Sequence, residues 1–349
     1  MLLYFLCCFP SLNLHRDTQL IANPLRRLPY LNTTEYDTLT ASFYTLTHTS
    51  ESYPTPITIG QIPGFVFNAL AKVPISIKGE LEVNRTTRTV AAFPQATEPE
   101  RSAAVAATCD YWRKNKTFQV LSGWRNELYP VYGPNNELLF NVERSASVLF
   151  GIISFGVHMV CYTRMTEEER VESGSKQDIK LWVPRRSKTK QTYGGMLDNT
   201  VAGGISSGED PFESLVREAD EEASLPEKLV RENTKAAGIV TYSYLRDPRA
   251  GGESGVIQPE CQYIYDLELP KDVTPKIKDD EVECFYLWTC KQVMESLAKG
   301  EFKPNCALVA IDFFIRHGIL TEENEKDIEE IKRRCHRDIP LPGPHLTFK

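Results

Sequence analysis

Several things are missing from this 349-residue chain. No cysteine pair has C-x-x-C spacing, and the nine cysteines are odd in number and scattered. That pattern speaks against a zinc framework and a disulfide scaffold and suits a reducing, cytoplasmic compartment. An excess of base is also missing. Lys and Arg total 40 against 47 Asp and Glu, so the net charge of −7 gives no overall footprint for nucleic acid. Beyond the N-terminus no run reaches about 18 uninterrupted apolar residues, so no membrane span is expected. There is no internal repeat and no low-complexity tract. The opening "MLLYFLCCFPSLNL" is apolar and lacks the basic residues of a secretory n-region, and Pro10 interrupts it. Residues 1–17 therefore read as an uncertain apolar leader. An organelle presequence and a misassigned start codon remain open beside a secretory signal.

What is present has ordinary globular composition, 41% hydrophobic and 25% charged. Residues 18–145 read as a smaller α+β accessory domain. It holds turn-rich stretches, a helix over "ATEPERSAAVAATCDYWRKN", and Trp124–Arg125 as a candidate stacking and anion-binding pair. Residues 146–320 read as a second domain. "SVLFGIISFGVHMVCYTR" predicts a strand or hairpin, "DIKLWVPRRS" a strand, and "MLDNTVAGGI" a strand ending in Gly203–Gly204. "PEKLVREN" predicts a short helix, "GIVTYSYLR" and "ECQYIYDLELP" strands, and "EVECFYLWTCKQVMESLAKG" a strand running into a helix. Residues 321–349 predict a charged helical tail. Strands mixed with a few helices indicate an α/β class.

The densest chemistry lies in "GGISSGEDPFESLVREADEEASL", residues 203–225. Carboxylates crowd there around one arginine, which weakens an isolated helix. Pro211 suits a first turn and Asp210 an N-cap. Glu218, Glu221 and Glu222, three and four residues apart, share one helix face. Converging carboxylates make a hard oxygen site for Mg2+ or Mn2+, which takes substrate phosphates into its shell. Arg217 is expected to pair with a carboxylate, Glu209 first. Gly203 and Gly204 permit close backbone approach, so that a carbonyl there can join a metal shell.

The spacing G-x5-E-x7-R-E-x-x-E-E, from Gly203 through Glu209 and Arg217–Glu218 to Glu221–Glu222, resembles the Nudix box. Ala219 and Leu225 occupy its aliphatic positions. One position departs: Ser224 stands where the family has glycine. The flanking "LSGWRNELYPVYG", "LWVPRRSKTKQTYGGMLDNTVAGGI" and "FKPNCALVAIDFFIRHGIL" resemble one Nudix branch. That branch is related to thiamine pyrophosphokinase and carries an upstream domain of unknown function.

The resemblance implies a Nudix α/β/α sandwich with a mixed sheet behind the accessory domain. It implies a Mg2+- or Mn2+-dependent diphosphate hydrolase of a small molecule, with no nucleic-acid or membrane partner. It assigns metal ligation to Glu218, Glu221, Glu222 and, more weakly, a Gly203 or Gly204 carbonyl, and structural roles to Glu209 and Arg217. Glu281 and Glu283 are candidate further carboxylates. Trp182, Arg185, Arg186 and Tyr193 are candidates for substrate binding, with Arg185 and Arg186 together facing a diphosphate. The branch implies thiamine diphosphate analogues, especially oxidised or damaged forms, as substrates. No kinase domain is expected after Lys349, so the relation to that kinase is read as kinship without its activity. ADP-ribose or another nucleoside diphosphate derivative is the alternative substrate, and a non-catalytic binding module the alternative function. An isomerase of isopentenyl diphosphate type is disfavoured, because no cysteine lies between Cys161 and Cys261.

Overall fold

The computed structural model describes residues 33–50, 53–278, 280–325 and 327–347. The expected leader, residues 1–17, lies outside them. The first half contains α1 (Thr34–Thr40), β1 (Tyr44–Ser50), β2 (Tyr53–Ile62), α2 (Gly64–Lys72), α3 (Ile75–Lys78), β3 (Glu82–Asn84) and β4 (Thr89–Ala91). It continues through α4 (Glu98–Lys114), β5 (Leu128–Tyr132), β6 (Leu138–Glu143) and α5 (Arg144–Phe150). Strands β2-β1-β4-β3 make one sheet and β5-β6 a hairpin.

Helix α4 begins where its sequence says it should. The Thr97 N–H donates to Glu100 Oε2 at 3.0 Å, Pro99 sits in the first turn, and Arg113 and Lys114 close the last. Its small face, Ala104, Thr108 and Cys109, lets the helix lie close on β6. Buried Arg101 clamps it there, donating to the Leu139 carbonyl at 2.8 Å and to those of Gln95 and Ala96.

The second half contains β7 (Ser154–Arg164), α6 (Glu167–Ser173), β8 (Ile179–Arg186), β9 (Val201–Gly204), α7 (Pro211–Ala223) and α8 (Glu227–Asn233). Then come β10 (Lys235–Leu245), β11 (Ile257–Glu268), β12 (Val282–Thr289), α9 (Cys290–Ala298), α10 (Pro304–Arg316) and α11 (Ile328–Cys335). The sheet runs β10-β11-β7-β8-β12. Strand β7 is its spine: parallel to β11 along its length, antiparallel to β9 over residues 156–159 and to β8 over 162–164. This is the expected mixed sheet, and β7 reads as a near-continuous apolar run because both its faces are covered.

Alternation sorts the two faces. Odd-numbered Phe155, Val157, Met159 and Cys161 of β7 pack with Leu215, Val216, Ala219 and Ala223 of α7. Even-numbered Val160 and Tyr162 pack with α10, α9 and α11. Helices on both faces give the α/β/α sandwich. The charged tail helix is part of this packing: Ile328, Ile331 and Cys335 of α11 are buried in the same core as α10.

One expected strand is not a strand. Residues 147–150 of "SVLFGIISFGVHMVCYTR" belong to helix α5, and β7 starts only at Ser154. Gly151 makes the break at φ 58°, with the Gln61 carbonyl 2.0 Å from where its Cβ would stand. A short apolar run does not distinguish a buried helix from a buried strand. Ile152 packs in the core of the first half and Ile153 in the sheet core.

Ser224 caps α7 at φ 50° and ψ 36°, left-handed backbone that glycine adopts without strain. Ser224→Gly is expected to stabilise the chain by about 1 kcal/mol, read as a higher denaturant midpoint at unchanged slope. A lower midpoint would show that the serine side chain stabilises the cap.

Candidate functional site

The acidic helix α7 is held by its own sequence. Asp210 Oδ1 accepts from the N–H groups of Phe212 and Glu213 at 2.8 and 3.2 Å. Burial of Leu215, Val216, Ala219 and Ala223 then turns Glu218 and Glu222, one helical turn apart, toward β9. Arg217 is the counter-charge. It donates to Glu209 at 3.0 and 3.3 Å, to Glu218 at 2.9 Å and to Glu221 at 3.1 Å. The expected Arg217–Glu209 pair is therefore present, and it ties the helix to the preceding loop.

Glu218 and Glu222 are in the less comfortable position. The Glu218 carboxyl lies against Gly203, where a Cβ would be 2.3 Å from Cδ. Burial raises the Glu218 pKa above its ordinary value, against the opposing pull of Arg217. Glu222 is buried and its Oε2 accepts from the Ala202 N–H at 2.9 Å. Burial, with Glu218 and Asp198 nearby, pushes its pKa up to about 8. Among the described residues, no three His, Cys, Asp or Glu side chains stand ready as a metal shell. Glu221 is half exposed and drawn to Arg217.

The β9 backbone decides which carbonyls face the helix. The Ala202 N–H points out to Glu222, while the Ile205 N–H donates inward to Phe155 O at 3.0 Å. In an antiparallel ladder, residues with outward and inward groups alternate, so Gly203 directs its N–H and C=O back toward β7. The Gly203 carbonyl is thus turned away from the helix, contrary to the expectation for it. Gly204 O, 3.5 Å from Ser214 Oγ, and Ala202 O lie on the helix side.

A second charged group flanks Glu222. Arg186 and Asp198 form a buried pair at 2.5 Å, and Cys306 Sγ also reaches Asp198. Lys303 and Arg186 hold the Asp198 carboxyl well below the usual range, against its burial. Burial lowers the Lys190 ammonium to about 8, and Lys190 pairs with Glu281. Lys190 also feels the charge of Glu222. Glu283 is exposed, with only Lys188 near it at 3.9 Å.

The expected diphosphate pair of Arg185 and Arg186 does not form. Consecutive strand residues point to opposite faces. Arg185 goes to the Tyr286 hydroxyl and the Gly195 carbonyl, and Arg186 goes to Asp198. Trp182 donates to Thr163 Oγ1 and packs in the core beneath α7. None of these three lines the cavity beneath the accessory half. Tyr193 does.

That cavity, of about 450 Å3, lies between the halves of the chain, on the sheet face away from α7. Its floor includes Gly156, Ala202, Gly203 and Gly204, so its wall at β9 has Glu218 directly behind it. The accessory half roofs it with Arg125, Tyr129 and Arg144. Arg125 of the expected Trp124–Arg125 pair is thus in the cavity, whereas Trp124 lies under Arg113 at 4.6 Å. Arg144 pairs with Glu127 at 2.8 Å, stacks on Tyr129 and feels the charge of Glu218 through the strand.

Residues 171–306 match the family model described as NUDIX domain. The chain carries a Nudix domain. Residues 62–154, which include the cavity roof, match the domain of unknown function DUF4743. The uncharacterized protein YJR142W of Saccharomyces cerevisiae is 42% identical over 226 residues, 64% of this chain and 64% of its own length. Nudix hydrolase 20, chloroplastic, of Arabidopsis thaliana is 38% identical over 63% of this chain and 54% of its own. Nudix hydrolase 24, chloroplastic, of the same plant is 35% identical over 63% and 56%. The chain therefore spans about half to two thirds of the length of these relatives. No described helix is long and apolar enough to cross a membrane.

The Nudix domain's donors fit a divalent cation. Two neighbouring carboxylates with raised pKa lack enough positive charge, and outward backbone carbonyls flank them. Several residues of the cavity escaped sequence reading: Arg144, Arg246, Lys303, Glu260 and Gln262. A signal existed for the last two, since "QPECQ" alternates polar residues along a strand buried on both faces.

The raised Glu222 pKa has a sign. A carboxyl that holds its proton more tightly when folded favours the folded state below its unfolded pKa. That stability is lost as pH rises from about 4.5 to about 8. The metal-free chain is expected to lose on the order of a few kcal/mol across this window. Mg2+ should restore it, and Glu222→Gln should flatten the dependence in chemical denaturation curves. An unchanged slope in the variant would assign the titration elsewhere.

Proposed function

We propose that this chain is a divalent-metal-dependent Nudix diphosphate hydrolase whose substrate lies in the cavity between the Nudix domain and the upstream domain. The observation that carries this reading is the pair Glu218–Glu222, a partly buried and a buried carboxylate on the box helix, set one strand's thickness from a cavity lined by Arg125, Arg144 and Lys303. A hydrolase must neutralise diphosphate charge and hold water at phosphorus. Glu218, Glu222 and the outward carbonyls of β9 would hold Mg2+ or Mn2+, with Glu221 free to join once released by Arg217. The bound ion supplies Lewis-acid stabilisation of the phosphoryl oxygens and an activated water. Arg144 and Lys303 bind the remaining diphosphate charge. Arg217 and Glu209 hold the helix in register. Glu281, paired with Lys190, is the candidate for a further carboxylate, and Glu283 faces solvent.

For the organic part we favour thiamine diphosphate analogues, oxidised or damaged forms included, converted to monophosphates. Support comes from the branch resemblance of the sequence and from the cavity itself. Tyr129, Tyr193 and Tyr244 offer ring surface there, and Glu260 offers a carboxylate opposite a cationic heterocycle. The isomerase reading gains nothing from the fold: Cys306, the cysteine beside the site, is buried on Asp198.

The test is a turnover screen with Mg2+ over thiamine, oxythiamine and oxothiamine diphosphates, ADP-ribose, NADH and coenzyme A. Monophosphate release from the thiamine compounds is expected, reduced on the order of 100-fold or more in Glu222→Gln. Turnover of ADP-ribose or NADH alone would keep the hydrolase and remove the thiamine assignment. Absence of turnover in folded protein would favour a binding module.

A further inference from the structure

Strand β11 is buried on both faces, yet Gln258, Glu260 and Gln262 recur at every second position. The period of two puts all three on the cavity face, and all three line the cavity. Their side chains form one hydrogen-bonded row. Arg246 donates to Gln258 Oε1 at 2.8 Å, and Gln258 Nε2 and the Tyr242 hydroxyl donate to Glu260. Gln262 Nε2 donates to Glu260 Oε2 at 2.8 Å and to the Tyr242 oxygen at 2.9 Å.

This row fixes how the Gln262 amide faces. Turned over, its oxygen would meet the Glu260 carboxylate, so Nε2 stays on that side and Oε1 on the other. Gln262 is only 5% exposed, and its Oε1 has no hydrogen-bond donor among the described residues. A buried acceptor without a donor is unfavourable, and a ligand donor would relieve it.

That oxygen is itself buried, and its neighbour across the sheet carries no side chain. Oε1 lies over Gly156, 2.3 Å from where a Cβ would stand. Gly156 is the cross-strand neighbour of Gln262 on one side and of Gly204 on the other. A row of three positions, two without side chains, therefore leads across the sheet from the amide to the strand backed by Glu218. Two strand spacings make that path about 10 Å long.

We propose that Gln262 is the specificity-determining residue of this cavity. Its Oε1 accepts a hydrogen bond from an exocyclic amino group of a nitrogen heterocycle, whose diphosphate extends over Gly156 toward Gly204. The placement of the diphosphate rests on the hydrolase reading above. The recognition of an N–H donor rests on the amide alone.

The test uses the full chain with Mg2+ and methylene-bridged diphosphates, which are not hydrolysed. Titration calorimetry compares the thiamine and adenosine compounds with counterparts lacking only the exocyclic amino group. The unmodified chain is expected to bind the amino-bearing member of at least one pair about 10-fold more tightly. Gln262→Met should erase that preference while leaving the affinity for methylenediphosphonate itself unchanged, which also shows that the variant is folded. Equal affinity within both pairs, discrimination that survives Gln262→Met, or no binding of any amino-bearing probe would each overturn the proposal. Discrimination without hydrolysis of the parent diphosphates would retain Gln262 and remove the hydrolase. Hydrolysis without discrimination would do the reverse.

Discussion

The carboxyl of Glu218 occupies the space in which a side chain on Gly203 would begin. Most of the site depends on that contact. It brings α7 against the edge of β9, so that Glu222 reaches the Ala202 N–H and the outward carbonyls of β9 flank both acids. It also leaves the two carboxylates mutually repelled in a partly dry setting. Arg217 offsets part of that repulsion, but one guanidinium divided among Glu209, Glu218 and Glu221 does not reach Glu222. The site is thus built short of positive charge.

The two faces of the central sheet divide the remaining work. One face packs the box helix through small and branched residues, Ala219 and Ala223 among them. The other is covered by α10 over only part of its length, and the upstream domain covers the rest. The cavity is what remains between those covers. Its cations therefore come from both parts of the chain: Arg125 and Arg144 from upstream, Arg246 and Lys303 from the Nudix domain. Residues 62–154, the DUF4743 match, thus supply two of the cavity's cations.

Much of this was legible beforehand. The box spacing located α7, its Asp210 cap and the Arg217–Glu209 pair, because these depend on offsets within about 20 residues. Strand and helix positions through the second half followed from periodicity. The failures share a cause. Arg185 and Arg186 look like a diphosphate clamp in sequence and lie on opposite sheet faces in space. The apolar run before β7 hid a helix, since burial makes both elements look alike. The Gly203 carbonyl was favoured by motif and turned away by the parity of the β7–β9 ladder.

By itself the sequence determined the acidic helix, its cap, its internal arginine and the period of each strand. These are local properties, set by neighbours a few residues apart and by backbone propensities. Only the tertiary structure decided which carbonyls face the acids, which cations reach the cavity, and that Gln262 is left with an unused oxygen. Those outcomes depend on register and on the docking of segments far apart in the chain, such as Arg144 with Gly204 and Gln262 with Gly156. One-residue changes in register invert them, and no local pattern encodes that parity.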